Sequence, residues 1–295
     1  MIGRITSSTM TQQTLRTLQT NLAARDRLQN QAASQRAFGA PSEDPTAAAT
    51  TLGVHGDQSR TAQHARNISD GMAWVTTVDT ALSSSITLLN RARDLTAQGA
   101  NSGALSTTAR ESIASELDSI GGELLSQANT TVLGRSVFAG TSDAGRAFDA
   151  ATFAYTGTPG AGVSRRIGDH ETVRVDADGS QAFGEGAGSV FAVLHDIAAE
   201  LRAGGNIGAR LGDIDARLKS MVTAQGSTGA RQAQLERASA QNLSVSTDLE
   251  ARRAGVEDVD SYQVLVKLQS AELVYQSALH VTAKSLQTNL LEFLR

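Results

Sequence analysis

Apolar residues recur at helical spacing along most of this chain, and little in the sequence interrupts them. Only three prolines occur, Pro41, Pro45 and Pro159, so long stretches lack the residue that most reliably breaks a helix. The spacing predicts a first helix over about Thr9 to Gln35, with Leu15, Leu18, Leu22 and Leu28 as a modest apolar stripe. It should stop before Pro41, which biases its predecessor away from helical geometry. Asp44 is a good N-cap for a second helix, and Pro45 sits at the first helical position, where a missing N–H costs nothing. Ile68, Met72, Val75, Leu82, Ile86 and Leu89 then follow alternating steps of three and four, apart from Asp79 at one apolar position, and carry that helix to about Ala97. Gly99 to Gly103 form a polar turn, and Thr108 with Glu111 fits a capping box for a third helix bearing Ile113, Leu117, Ile120 and Leu124. So short a turn implies an antiparallel hairpin.

The pattern changes after Leu133. Residues 141–188 hold nine of the 27 glycines and the aromatics Phe148, Phe153, Tyr155 and Phe183, and Glu171 to Asp176 alternates with Val173 and Val175 on one face. This reads as a small β-rich insert. Helical spacing resumes at Val190, Leu194, Ile197 and Leu201, and again at Ile207, Leu211, Ile214, Leu218 and Met221. A closing helix is expected from about Val256 to the end, with Leu265, Leu268, Tyr275, Leu279, Leu286 and Phe293 on heptad positions and a second stripe of Val259, Tyr262, Val266 and Leu273 beside them. That helix has more apolar face than one partner can cover.

The fold class is therefore mainly α: an elongated multi-domain rod of long helices, with paired N- and C-terminal coiled-coil helices and a small β-rich insert domain. The expected division is residues 1–40 plus 251–295 as the terminal coiled coil, 41–140 plus 189–250 as a helical rod, and 141–188 as the β-rich outer domain. Gln19, Gln29, Gln31 and Gln35 on one terminal arm and Gln263, Gln269, Gln276 and Gln287 on the other leave that coil little dry core. Segments that bury too little surface alone often fold when neighbouring copies supply the missing face. Leu15, Leu18, Leu22, Leu265, Leu279, Leu286 and Phe293 are accordingly the expected coil and intersubunit contacts. The stripes within 68–124 and 207–249 are expected to face their own core.

Composition narrows the function by exclusion. Aromatic residues make up 4% of the chain with a single Trp, so Leu, Ile, Val and Ala must supply most of the core. Lys and Arg number 26 against 30 Asp and Glu, a net charge of -4, with no basic run to track a phosphate backbone, and nucleic acid is not an expected partner. Cysteine is absent, which removes disulfides, thiolate nucleophiles and Cys-based metal sites. No run approaches the roughly 18 apolar residues of a membrane helix, and Met1 to Gln13 lacks the apolar core of a secretory signal.

No catalytic or cofactor constellation emerges. The five histidines are scattered and form no helical metal pair. Asp176 and Asp178 before Gly179 have some calcium-loop character, but the glycine comes too early and Ala187 stands where a bidentate Glu is needed. Gly157, Gly160 and Gly162 are followed by no Gly-Lys-Ser/Thr and read as turns, while Glu43 and Asp44 are explained by helix capping. The chain is expected to be no enzyme and to carry no cofactor or metal.

Several stretches resemble the flagellin superfamily, and within it the hook-filament junction family, also called hook-associated protein 3. They are Arg4-Ile5-Thr6 to Met10, Pro41-Ser42-Glu43-Asp44-Pro45, Ala65-Arg66-Asn67-Ile68 with Asp79-Ala81-Leu82, and Arg91-Ala92-Arg93-Asp94-Leu95. Ala128-Asn129 before Gly134 to Gly140 and the closing Leu290-Leu291-Glu292-Phe293-Leu294-Arg295 complete the order. Glu43 replaces an Asp of the family's turn, and Ser136 and Val137 depart from its aromatic or aliphatic pair. The resemblance covers roughly residues 1–140 and 190–295. It implies a secreted structural protein at the hook-filament junction of the bacterial flagellum, self-assembling into a ring. It further implies export by the flagellar type III apparatus with an export chaperone, and other hook-associated proteins and flagellin as partners. Flagellin itself is the nearest alternative. A helical signalling module is a more distant one, because its long uninterrupted hairpin would leave no place for the β insert.

Overall fold

The computed structural model describes residues 7–100 and 106–293, with side chains for all of these except 7, 8, 10, 11 and 285–293. It is mainly α. In chain order the elements are α1 (Ser7–Ser34), α2 (Pro45–Ala100), α3 (Thr107–Ala128), β1 (Thr131–Val132), β2 (Arg135–Ser136), β3 (Ser164–Arg166), β4 (Thr172–Arg174), α4 (Gly179–Phe183), α5 (Val190–Arg202), α6 (Leu211–Glu257) and α7 (Ser261–Phe293). The chain forms two compact units, one from residues 1–60 with 246–295 and one from 61–245.

The caps explain where the helices begin. Asp44 accepts the Ala47 N–H at 2.9 Å and starts α2 at Pro45. Neighbouring Glu43 instead accepts the Gly39 N–H at 2.7 Å, so both carboxylates of that turn are engaged by backbone. α3 opens two residues before the expected capping box, because Ser106 accepts the Ala109 N–H. Glu111, freed from capping, takes the guanidinium of Arg202 at 3.1 Å. The closing helix, expected from about Val256, begins a few residues later: α6 runs to Glu257, and α7 starts where Asp260 accepts the N–H groups of Tyr262 and Gln263.

The unit of residues 61–245 has one continuous hydrophobic core. Leu82 and Leu89 of α2, Leu117 and Leu124 of α3, Leu194 and Ile197 of α5 and Met221 of α6 are all fully buried in it. α3 packs most closely against α5, and Arg91 of α2 bonds Glu116 of α3 at 2.9 Å. The glycine-rich segment enters the same core. β3 and β4 pair antiparallel with Arg165 opposite Val173, and Val173 and Val175 face inward. Phe148 lies 5.1 Å from Phe191 and 5.9 Å from Phe183, centroid to centroid, which knits the segment to α4 and α5.

β1 and β2 form a two-residue hairpin whose turn, Leu133-Gly134, has positive φ at both positions. Just before it, Asn129 caps α3 and does more. Its side-chain oxygen accepts the N–H groups of Ala147 and Phe148 at 2.8 and 2.9 Å, and its amide donates to the Phe148 carbonyl at 3.0 Å. Asn129→Ala strands three partly buried backbone groups and is expected to cost about 2–4 kcal/mol, read as a lowered urea midpoint with unchanged slope.

Candidate assembly interface

The unit of residues 1–60 and 246–295 is built differently. α1 and α7 run antiparallel: Arg36 bridges Asp258 at one end, and Gln13, Thr14 and Thr17 meet Ser277, Ala278 and Val281 towards the other. Between them the Arg25 guanidinium lies 5.2 Å above the Tyr275 ring. The partly or fully buried positions step by four and three on both helices. On α1 they include Thr14, Leu18, Asn21, Arg25, Leu28 and Ala32, and on α7 Val264, Leu268, Ala271, Tyr275, Ala278 and Thr282. This is a heptad seam, but its residues are mostly small or polar.

The bulky apolar side chains lie elsewhere. Tyr262, Leu265, Val266, Leu273, Val274, Leu279 and Val281 of α7 and Leu15 of α1 are exposed. Leu265 shows 51% of its surface, Leu279 41% and Leu15 48%. Leu18 and Leu22 are partly buried. The side chains of Leu286 and Phe293 lie outside the described part. Only Val54, Leu249 and Val264 are buried hydrophobics among the described side chains of this unit, whereas the other unit supplies every member of the main core. Small seam residues also leave a groove of about 450 Å3 lined by Gln13, Thr14, Thr17, Ser277, Ala278, Val281 and Thr282.

The α1–α2 and α6–α7 turns are clasped together. Ala37 N–H donates to the Glu257 carbonyl at 2.7 Å, and Val259 N–H to that of Gln35 at 3.2 Å. Arg253 reaches Glu250, Glu257 and Asp258 at 2.8, 3.0 and 3.2 Å, and His55 stands 3.2 Å from Glu257. The sequence signal for this clasp was the Glu250, Arg253, Glu257 spacing of three and four. The hydrogen bond from Arg253 holds the Glu250 pKa below the ordinary glutamate value. A carboxylate so depressed contributes stability that is full above the ordinary value and lost as pH falls through the lower, folded one. The expected carboxyl NMR titration of Glu250 has its midpoint below that of a free glutamate, and Arg253→Ala raises it towards the ordinary value.

The carboxylates with calcium-loop character serve the fold. Asp176, fully buried, takes Arg174 at 2.8 and 3.1 Å and the Val163 N–H at 2.9 Å, while Asp178 caps α4. Among the described residues no group of three His, Asp or Glu side chains converges as a metal site, and no helix is long and apolar enough to cross a membrane.

α1 and α7 thus share a weak mutual seam with apolar side chains turned outward, while the unit of residues 61–245 has a core of its own. The chain belongs to the bacterial flagellin family: residues 5–143 match the flagellin N-terminal helical region and residues 211–294 the C-terminal helical region. Among solved structures it is similar to a protein described as a flagellar hook-associated protein from Vibrio parahaemolyticus, at 20% identity and TM-score 0.68, covering 73% of this chain and 100% of that one. It is also similar to FlgL from Bacillus cereus, at 20% identity and TM-score 0.58, covering 67% and 99%. A third is flagellar hook-associated protein 3 from Legionella pneumophila, at 14% identity and TM-score 0.60, covering 69% and 98%. No curated protein matches the chain in sequence.

Proposed function

We propose that this chain is the structural adaptor that joins the hook, through a neighbouring hook-associated protein, to the flagellin filament. In this reading it self-assembles into a ring through α1 and α7, and Leu15, Leu18, Leu22, Leu265, Leu279, Leu286 and Phe293 lie in or beside the contacts. The observation that carries it is the row of exposed apolar side chains on α7 above a seam with almost no buried core. So many large apolar side chains exposed on one helix support an interaction site there, and the flagellin family to which the chain belongs suggests the occupant: like subunits and their neighbours in the tube. Residues 1–40 with 251–295 would then line the tube, 41–140 with 189–250 form the surrounding rod, and 141–188 the outer face. The protein would leave the cell through the flagellar export apparatus, escorted by a chaperone, and act at the hook-filament junction.

Similarity to hook-associated structures from several bacteria favours the junction over the bulk filament. Deleting the gene and imaging the cell surface tests the choice. Bare hooks with flagellin shed into the medium are expected. Loss of the major filament protein itself would favour the flagellin reading, and intact motile filaments would remove both.

A further inference from the structure

The joint where α1 turns into α2 and α6 into α7 lies within the unit of residues 1–60 and 246–295. Its two turns are held to each other by polar contacts: the Ala37 and Val259 N–H bonds, the Arg253 cluster, and His55 beside Glu257. Such contacts exchange with water at little net cost, and few buried apolar side chains of this unit back them. The joint is also strained. Gln35, whose carbonyl accepts the Val259 N–H, has a φ of 56°, in the left-handed region that a residue other than glycine enters at a cost. Thr51 is buried, and its hydroxyl has no hydrogen-bond partner among the described residues, whereas that of Thr50 donates to the Thr46 carbonyl at 3.0 Å. A buried hydroxyl left unpaired weakens the conformation that buries it.

The helices that enter the joint are loosened as well. Gly53 and Gly56 of α2 and Gly255 of α6 occupy exposed positions where an added Cβ would meet nothing within 4 Å, so packing does not require glycine there. Glycine inside a helix loosens it relative to alanine. Elsewhere on α2 packing does demand it: a Cβ on Gly71 would stand 3.2 Å from Val175, and one on Gly99 2.8 Å from Ile207. Gly226 and Gly229 of α6 are as open, but Met221 and Leu235 anchor that stretch in the main core. We propose that the joint is a hinge, on which the α1–α7 pair changes its angle to the first turns of α2 and the last turns of α6. Closed, it strains Gln35 and leaves Thr51 unpaired; open, it gives up the two N–H bonds and the Arg253 cluster. Neither position is then favoured by a wide margin, and a few residues at element ends absorb the change. Such a hinge fits the apolar row of α7 to whatever neighbour covers it, yet it belongs to the single copy and does not depend on assembly.

Spin labels test the hinge in the isolated full chain, and because the sequence has no cysteine, introduced pairs label uniquely. One pair is Gln19→Cys with Ser59→Cys, exposed on α1 and α2; the control is Glu123→Cys with Asp196→Cys, exposed on α3 and α5. Distances from double electron–electron resonance are expected to spread more widely for the first pair than for the control. Thr51→Val with Gly53→Ala and Gly56→Ala is expected to narrow that spread and to slow hydrogen exchange of the Ala37 and Val259 amides roughly tenfold or more. A first distribution as narrow as the control would overturn the hinge, as would failure of the triple variant to narrow it or to slow the two amides. Should Thr51→Val disturb its packing, Gly53→Ala with Gly56→Ala, at exposed positions with open space, decides the question by the same two readouts.

Discussion

Replacing Leu265 and Leu279 together by aspartate is expected to abolish self-assembly while leaving the monomer folded. Both side chains stand on α7 with about half their surface in water, 51% and 41%, and neither belongs to the main core. Removing them from the isolated chain should shift its stability by less than about 0.5 kcal/mol each, as for ordinary surface positions. Assembly is another matter. If each leucine is covered by a neighbouring helix, its burial contributes roughly 1.5–3 kcal/mol, and an aspartate in the same place adds the cost of a desolvated charge. Two such losses per contact amount to at least about a hundredfold in affinity, repeated at every subunit. Sedimentation velocity of the purified variant reads monomer state and fold, and complementation of the deletion strain reads filament attachment. Normal attachment by the variant would refute the assigned contacts.

The second large effect is expected at Phe148→Ala, about 3–5 kcal/mol for loss of a buried aromatic. Phe148 is fully buried and sits 5.3 Å from Tyr155, 5.1 Å from Phe191 and 5.9 Å from Phe183. It belongs to the 141–188 segment, and the single Trp, Trp74, belongs to α2 in the same hydrophobic core. Trp74 fluorescence therefore reports whether the glycine-rich segment and the helices unfold together. One transition, moved to lower urea by the substitution, is expected. A Trp74 transition unmoved by Phe148→Ala would mean that the segment folds as an appendage of its own. Against a typical stability of about 5–15 kcal/mol for a whole domain, the expected loss is a large fraction.

Much of this fold was legible in the apolar spacing. Long segments with steps of three and four and few prolines could only be helices, and the alternation of Val173 and Val175 gave away β4. What spacing could not show was which row of a doubly striped helix meets its partner. The sequence singles out the bulkiest row on α7, yet Leu268 and Tyr275 face α1 while Leu265 and Leu279 turn outward. The row that packs is set by the partner's residues, and α1 offers Thr14, Asn21 and Arg25 there. The break between α6 and α7 was expected near Val256 and falls at residues 258–260. Asp260 and the Arg253 clasp end one helix and begin another without disturbing the apolar period. Asn129, present in the stretches that carry the family resemblance, shows its purpose only in three dimensions, where one amide holds three backbone groups nineteen and fewer residues away.

In the proposed assembly α1 and α7 are unfinished in a single copy and are completed by neighbours. Hydrogen exchange of the monomer, compared with the assembled protein, tests it most directly. Exchange follows local opening, which is easiest where few apolar contacts are buried. The amides of α1 and α7 are expected to exchange far faster in the monomer than those of α3 and α5, and to become protected on assembly. Strong protection of α1 and α7 in the isolated chain, equal to that of α3 and α5, would contradict the claim.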